Sequence, residues 1–368
     1  MRRALSLVAI LPALLLVASA AGSGSTPPAV TALGGAIAVD GRPTFPIFAW
    51  AACQGDIDAD LAAGVTAFMT HGQGCGSEGD FLAALGQRAY YVAPIEDGRD
   101  FTADSRLLGY VQADEPDGHG TQPEELPAEP GRFVFMTLTA HFAQDQAPLP
   151  AVAKAVYPAY AARADALGFD VYPLAQDCGH ATISLASVYA DQRDLVTLAG
   201  GRPTYQWIET GSQEGACGSP VTPSTVRAEA WLAVAGGARG LGWFTYAWPD
   251  GRAQSFAVDD DVAAAMARTS AELQGLAPIL LAPSVRGLGS TRSDPVKVGA
   301  RTYGGRTYLV AVNSWDVPVS WSRPSLPGLA RQAVTVVGEH RTLRAVGGRL
   351  TDAFPPLGVH VYAWTPSS

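Results

Sequence analysis

The sequence predicts an α/β protein: a (β/α)8 TIM barrel followed by a small antiparallel β-sandwich. Three observations carry this expectation. From Pro43 to Pro283 eight short apolar runs alternate with polar or helix-like crossovers, and that span of about 240 residues is the usual size of such a barrel. After Ala282-Pro283 the texture changes to short β-branched runs closely punctuated by Gly and Pro, with no helical period. An open doubly wound sheet is the rival arrangement, but no GxGxxG follows the first strand to support its dinucleotide site.

The eight predicted barrel strands are residues 45–50, 65–70, 89–95, 107–113, 133–139, 169–172, 203–208 and 240–246. Helical patterns are predicted over about 57–63, 79–85, 149–167, 187–198, 224–235 and 259–276. In the last part of the chain, runs at 296–298, 307–312, 317–321, 334–337 and 359–364 read as strands of the sandwich. Domain limits follow: 1–20 a signal peptide, 21–42 a lead-in, 43–283 the barrel, 284–368 the sandwich. Packing against the barrel is the favoured role of the sandwich, with carbohydrate binding as the other.

The N-terminus has the layout of an export signal. Arg2-Arg3 precede an apolar run from Leu5 to Val17, and Ala18-Ser19-Ala20 is a small-residue cleavage site. An uncleaved membrane anchor is the alternative, but the run is short for a span. Cleavage near Ala21 removes two arginines, so the formal charge of −9 becomes −9 − 2 = −11. Residues 22–28, rich in Gly, Ser, Thr and Pro, read as a flexible lead-in. A secreted location and no stable membrane insertion after cleavage are the expectations. The negative balance excludes nucleic acid as a partner.

Four cysteines, Cys53, Cys75, Cys178 and Cys217, suit an exported chain with two disulfides. Of the three pairings, Cys53–Cys75 and Cys178–Cys217 are favoured, because each joins neighbouring loops. A metal site is the rival reading, without a CxxC to support it.

In a barrel of this kind chemistry sits where strands end and the following loops begin. Those ends carry Trp50, His71, Glu96, Asp97, Asp114, Glu115, His141, Asp170, Tyr172, Trp207, Glu209, Trp243, Tyr246 and Trp248. Glu115 ends the fourth strand in "GYVQADEPDG" and Glu209 ends the seventh in "TYQWIETG". These strands face each other across the rim, so the two carboxylates are placed to work as a pair. Glycoside hydrolysis needs such a pair, one acid to protonate the leaving oxygen and one carboxylate to attack or activate water. Trp50, Trp207, Trp243, Tyr246 and Trp248 are candidates to stack on sugar rings, and His71 and His141 to bind hydroxyls. Strand alternation sends Trp243 and Phe244 in opposite directions, so one of the two packs in the core. Glu96, Asp97, Arg99 and Asp100 read as a solvated loop, Arg227 and Glu229 as a packing pair, and Asp259 to Asp261 as acids at a helix start.

The order of a strand-four Glu-Pro, strand-six "DVYP" (residues 170–173), strand-seven Glu and strand-eight Trp-Phe resembles the retaining glycoside hydrolases of clan A. The resemblance covers nearly the whole mature chain in layout but only short motifs in residues. It implies Glu115 as acid/base, Glu209 as nucleophile and Tyr172 as a hydrogen-bond donor to the nucleophile. That clan has Asn-Glu at the end of strand four, where Asp114 stands here, and Asn313 is the only asparagine in the chain. An acid beside the acid/base raises its pKa by like-charge repulsion.

Other classes lack their residues. A metal-dependent hydrolase needs clustered ligands, and the six histidines are scattered. A Schiff-base aldolase needs a strand-end lysine, whereas the only lysines are Lys154 in a crossover and Lys297 in the sandwich. No GxSxG supports a serine hydrolase. No cofactor is implied, and the expected partner is a carbohydrate substrate. The remaining alternative is a non-catalytic carbohydrate-binding protein that keeps the aromatics and loses the geometry of the acid pair.

Overall fold

The computed structural model describes residues 26–95, 101, 103–128, 131–143, 152–175, 183–211, 220–247 and 254–367. The signal segment, Cys178, Cys217, Trp248 and the charged loop Glu96, Asp97, Arg99 and Asp100 lie outside them.

The chain begins with a feature the sequence reading did not contain. Within the supposed lead-in, β1 (Val30–Leu33), β2 (Ala36–Val39) and β3 (Arg42–Thr44) form an antiparallel meander. Its β2 is wholly buried, and Ile37 and Val39 close the lower end of the barrel against Phe48, Ala166 and Phe133. Burial of these small apolar side chains, together with tight turns at Gly34-Gly35 and Asp40-Gly41, where all four residues have positive φ, orders the segment.

Eight parallel strands then close into a barrel. They are β4 (Ile47–Ala52), β5 (Ala67–His71), β6 (Tyr90–Pro94), β7 (Leu107–Val111), β8 (Val134–Leu138), β9 (Ala166–Asp170), β10 (Thr204–Glu209) and β11 (Leu241–Phe244). Around it lie α1 (Ile57–Ala62), α2 (Glu78–Leu85), α3 (Tyr157–Ala161), α4 (Leu185–Ala199), α5 (Pro223–Gly236) and α6 (Asp260–Leu280). Capping at α5 is legible in sequence: Thr222 accepts from the Thr225 amide, Thr225 accepts from the Thr222 amide, and Pro223 fills the first position, where its missing N–H costs nothing. Within the described part of the helix expected over 149–167 only a 3-10 turn at Lys154–Val156 and α3 form, and residues 166–167 belong to β9 instead. Ala166-Leu167-Gly168 suits either state by propensity; pairing of β9 with β8 and β10 decides it.

The barrel is filled, not hollow. Tyr205 and Trp207 of β10 cross the lumen, and strand glycines on both neighbours leave them space. A Cβ on Gly168 of β9 would sit 2.0 Å from the Tyr205 ring, and one on Gly242 of β11 would sit 2.0 Å from the Trp207 ring. Phe48 packs on Tyr205 at 5.3 Å and edge-on against Phe135 at 5.7 Å. Each such aromatic contributes about 2–3 kcal/mol of burial.

The sandwich follows as expected, with more strands. A five-stranded sheet holds β12 (Val296–Tyr303), β13 (Arg306–Asn313), β15 (Ala333–Val336), β16 (Arg341–Arg344) and β18 (Val359–Trp364). A two-stranded sheet holds β14 (Val319–Arg323) and β17 (Leu350–Phe354). Strands β16 and β17 escape the sequence reading because they are short and largely polar: β16 has no fully buried residue, and β17 buries only Leu350 and Phe354 at its ends. Trp321, Phe354, Tyr362 and Trp364 build the core of this part. Val310, Val312, Val359 and Val361 pack into the same apolar cluster as Ala228, Trp231 and Leu232 of α5, so barrel and sandwich share a core.

Candidate active site

The upper rim is assembled from strand ends. The segment after β7 carries Asp114 and Glu115, and it is held in place by Asp117, a residue that reads in sequence as an ordinary turn acid. Asp117 is wholly buried. Its Oδ1 accepts the Thr139 N–H at 3.0 Å, and its Oδ2 accepts the Thr139 hydroxyl at 2.6 Å and the Tyr157 hydroxyl at 2.9 Å. Glu115 sits in the left-handed region at φ +41°, a conformation that non-glycine residues seldom adopt unless their surroundings enforce it. The Asp117 anchor and the Pro116 carbonyl, which accepts the Thr121 N–H at 2.9 Å, supply that enforcement.

Asp170 ends β9, two residues before Tyr172. The Tyr172 hydroxyl donates to Asp170, and burial first, then Asp170, Glu115 and Asp114, push it well above its ordinary pKa. Tyr205 rises from the lumen with its hydroxyl 3.1 Å from that of Thr137, and it too feels Asp114 and Asp170. Three acids from two strand ends therefore converge around two tyrosines. Asp114 meets solvent at its surface while protein crowds its carboxyl from below. Burial first, then Glu115, push that carboxyl up to about 7; Asp117 adds to the rise and His119 opposes it. Water at the rim screens part of this effect.

An aromatic wall flanks the acids. Phe244 stacks on Tyr172 at 5.0 Å with 21° between planes, Trp50 lies 5.8 Å from Phe244, and Tyr246 meets Trp50 edge-on at 5.3 Å. Trp50 keeps partial exposure, as a sugar platform must. Trp207 lies beneath as floor, its indole N–H donating to Thr137 Oγ1 at 3.1 Å. The Cys53–Cys75 disulfide ties the loop after β4 to the loop after β5 beside this wall. The Tyr246 hydroxyl lies in the same corner, 2.4 Å from where a Cβ on Gly72 would stand.

Four sequence expectations change. Trp243 does not face the rim: it is wholly buried in the barrel–helix layer, with its indole N–H donating to Ser270 of α6 at 3.2 Å. Alternation sends Phe244 to the wall in its place. Glu209 is also wholly buried. Its Oε1 accepts the Leu174 N–H at 2.9 Å and its Oε2 the Ala175 N–H at 2.7 Å, and its carboxyl lies against that of Glu229 on α5. Burial first, then Glu209, push the Glu229 carboxyl well above its ordinary range. Tyr172 accordingly hydrogen-bonds Asp170, and the charges of Glu115 and Asp114 reach it across the rim. The expected Arg227–Glu229 pair does not form: Glu229 turns inward to Glu209 of β10, and Arg227 pairs instead with Glu272 of α6 at 3.0 Å, because residues two apart on a helix point to different faces. His71 and His141 are half-buried at the ends of β5 and β8, each with Nδ1 enclosed and without a hydrogen-bond partner among the described residues. His71 leans towards Phe81 of α2, at 6.4 Å between rings.

Among the described residues no group of His, Cys, Asp or Glu is arranged to hold a metal ion, and no helix is long and apolar enough to cross a membrane.

These elements define a filled (β/α)8 barrel with an acidic, aromatic-walled upper rim and a β-sandwich behind it. No known family profile matches the chain, and no curated protein matches its sequence. Solved structures do match in fold. A candidate alpha-galactosidase from Bacteroides fragilis NCTC 9343 superposes with a TM-score of 0.54 at 10% identity, over 88% of this chain and 80% of that one. The alpha-amylase of Geobacillus thermoleovorans, solved with acarbose, superposes with a TM-score of 0.54 at 12% identity, over 84% of this chain and 90% of that one. At such identities the likeness is one of fold.

Proposed function

We propose that the chain is an exported glycoside hydrolase whose substrate lies along the Trp50–Phe244–Tyr246 wall. The observation that carries this reading is the placement of Asp114, Glu115 and Asp170 at strand ends of the rim beside Tyr172, which stacks on the Phe244–Trp50–Tyr246 wall. Two carboxyl groups with different proton affinities are what O-glycoside cleavage requires. Asp114, raised towards neutrality, is suited to donate a proton to the leaving oxygen, with Glu115 beside it keeping that proton in place. Asp170, which accepts from the Tyr172 hydroxyl, is suited to act at the anomeric carbon. This moves the partner acid from Glu209, whose oxygens are engaged by main-chain amides, to Asp170. Solved proteins of the same fold that include an alpha-amylase and a candidate alpha-galactosidase support the class and leave the sugar open.

The test is release of nitrophenol from a panel of aryl glycosides by wild type, Asp114→Asn, Glu115→Gln, Asp170→Asn and Glu209→Gln. Loss of turnover in the three rim variants, with sugar binding retained, supports the reading. Wild-type turnover in Asp170→Asn overturns the assignment of that acid. Non-catalytic carbohydrate binding is the second reading, and the full burial of Glu209 favours it. It predicts sugar binding with no turnover by the wild type itself.

A further inference from the structure

At the opposite end of the barrel, between the strand starts, the β1–β2 turn and the sandwich, lies a cleft of about 780 Å³. Its walls bring five arginines together: Arg193 of α4, Arg202 before β10, Arg239 before β11, Arg286 in the connection to the sandwich, and Arg301 of β12. No aspartate or glutamate lines it. In a chain whose net charge is −9, this is a local reversal of sign.

The arginines are compensated only in part. Arg301 donates to the carbonyls of Leu280 at 3.1 Å and Val234 at 3.4 Å, and Arg239 donates to that of Leu281. These carbonyls belong to the C-terminal ends of α5 and α6, where the helix dipole favours a cation. Arg202 donates to Ala199 at 3.0 Å and Arg193 to Leu288 at 3.3 Å. None of the five pairs with a carboxylate among the described residues, and Arg286 has no hydrogen bond there at all. Arg239 and Arg301 are nearly buried, and burial lowers the proton affinity of both. Carbonyl dipoles explain how buried guanidiniums are tolerated. They do not explain why five from separate elements face one solvent-filled space with no acid among them.

We propose that this cleft is a binding site for a multivalent oxyanion, its phosphate or sulfate groups held by the forks of Arg193, Arg202, Arg239, Arg286 and Arg301. Guanidinium groups match tetrahedral oxyanions bidentately, and a ligand that neutralises several at once relieves the repulsion between them. The cleft has room for more than one such group. It lies at the far end of the barrel from the acids, so the proposal stands independently of the hydrolase reading.

The full chain is titrated calorimetrically with inorganic pyrophosphate, with a fully sulfated disaccharide and with the same disaccharide unsulfated, all at one ionic strength. Saturable binding of either anion, weakened in Arg286→Gln, is expected, whereas any binding of the neutral sugar belongs to the rim and is unchanged in Arg286→Gln; the tighter anion identifies a phosphate or a sulfated-glycan source. Arg202→Gln/Arg286→Gln is expected to weaken that binding at least on the order of tenfold. Arg286→Gln alone, which removes no hydrogen bond of the fold, is expected to weaken it several-fold with an unchanged melting temperature in anion-free buffer. Absence of saturable binding up to about 10 mM, or wild-type affinity in Arg286→Gln, overturns the proposal.

Discussion

Glu209 lies against Glu229 in a wholly buried carboxyl pair in which burial first, then Glu209, push Glu229 well above its ordinary range, while two main-chain N–H groups of the β9 loop close on Glu209. The pair therefore couples β10, α5 and the 174–175 segment. Glu229→Gln keeps a donor facing Glu209 and is expected to fold with little loss. Glu209→Ala leaves two buried N–H groups without an acceptor and is expected to cost about 2–4 kcal/mol, read by urea denaturation. Equal stability of the two variants would contradict this account of the pair.

At the rim the prediction is kinetic. If Asp114 is the proton donor, kcat/KM falls as pH rises through about 7, where its carboxyl ionises. Asp114→Asn is expected to lower turnover by on the order of a hundredfold or more and to remove that limb of the profile. A limb that survives in Asp114→Asn reassigns it to another group.

The two tryptophans of the rim and of the helix layer should behave differently. Trp50→Ala is expected to weaken sugar binding about tenfold through loss of a stacking face, with modest change in stability. Trp243→Ala is expected to cost about 3–5 kcal/mol, because the indole is wholly buried against α6, and to leave sugar affinity unchanged in the folded fraction. Denaturation curves and titrations with oligosaccharides separate the two effects.

Asp60, on α1, gives a pH-dependent stability. It is wholly buried, its two oxygens have no hydrogen-bond partner among the described residues, and burial first, then Asp56, push its carboxyl up to about 8. A carboxyl raised in the folded state holds its proton more tightly there than in the unfolded chain. Its contribution is therefore most favourable below about pH 4, declines as pH climbs towards about 8, and is level above that. Asp60→Asn is expected to be more stable than wild type at pH 8 by on the order of 1–3 kcal/mol, with the gap closing near pH 4. Parallel thermal melts across that range measure it.

Reduction of Cys53–Cys75 opens a loop of sequence separation 22 and is expected to lower stability by about 3 kcal/mol. Because the bridge ties two rim loops beside Tyr246 and Trp50, sugar affinity should fall with it. Unchanged affinity after reduction would show that the wall is set by its own ring contacts.

The sequence by itself determined the barrel, the sandwich behind it and the strand ends on which acids and aromatics stand. Apolar period and turn residues are local, and eight runs of the right length leave few ways to bury them. The strands β16 and β17 are not legible, because half-buried polar edges carry no apolar run, and the β1–β3 meander is missed because its strands are only three or four residues long, although Gly34-Gly35 and Asp40-Gly41 mark its turns. Tertiary structure alone decided which strand-end acids meet. Glu115 and Asp170 reach the rim because Asp117 pins one loop and Tyr172 faces the other. Glu209 shares strand parity with Tyr205 and Trp207, yet amides arriving from β9 and a carboxyl arriving from α5 claim it first. Those partners lie 34 and 35 residues back along the chain in one case, and on the next helix in the other. Past the last ladder bond the period of two no longer aims a side chain; what aims it is whichever buried donor lacks a partner, and that is settled only when the elements pack.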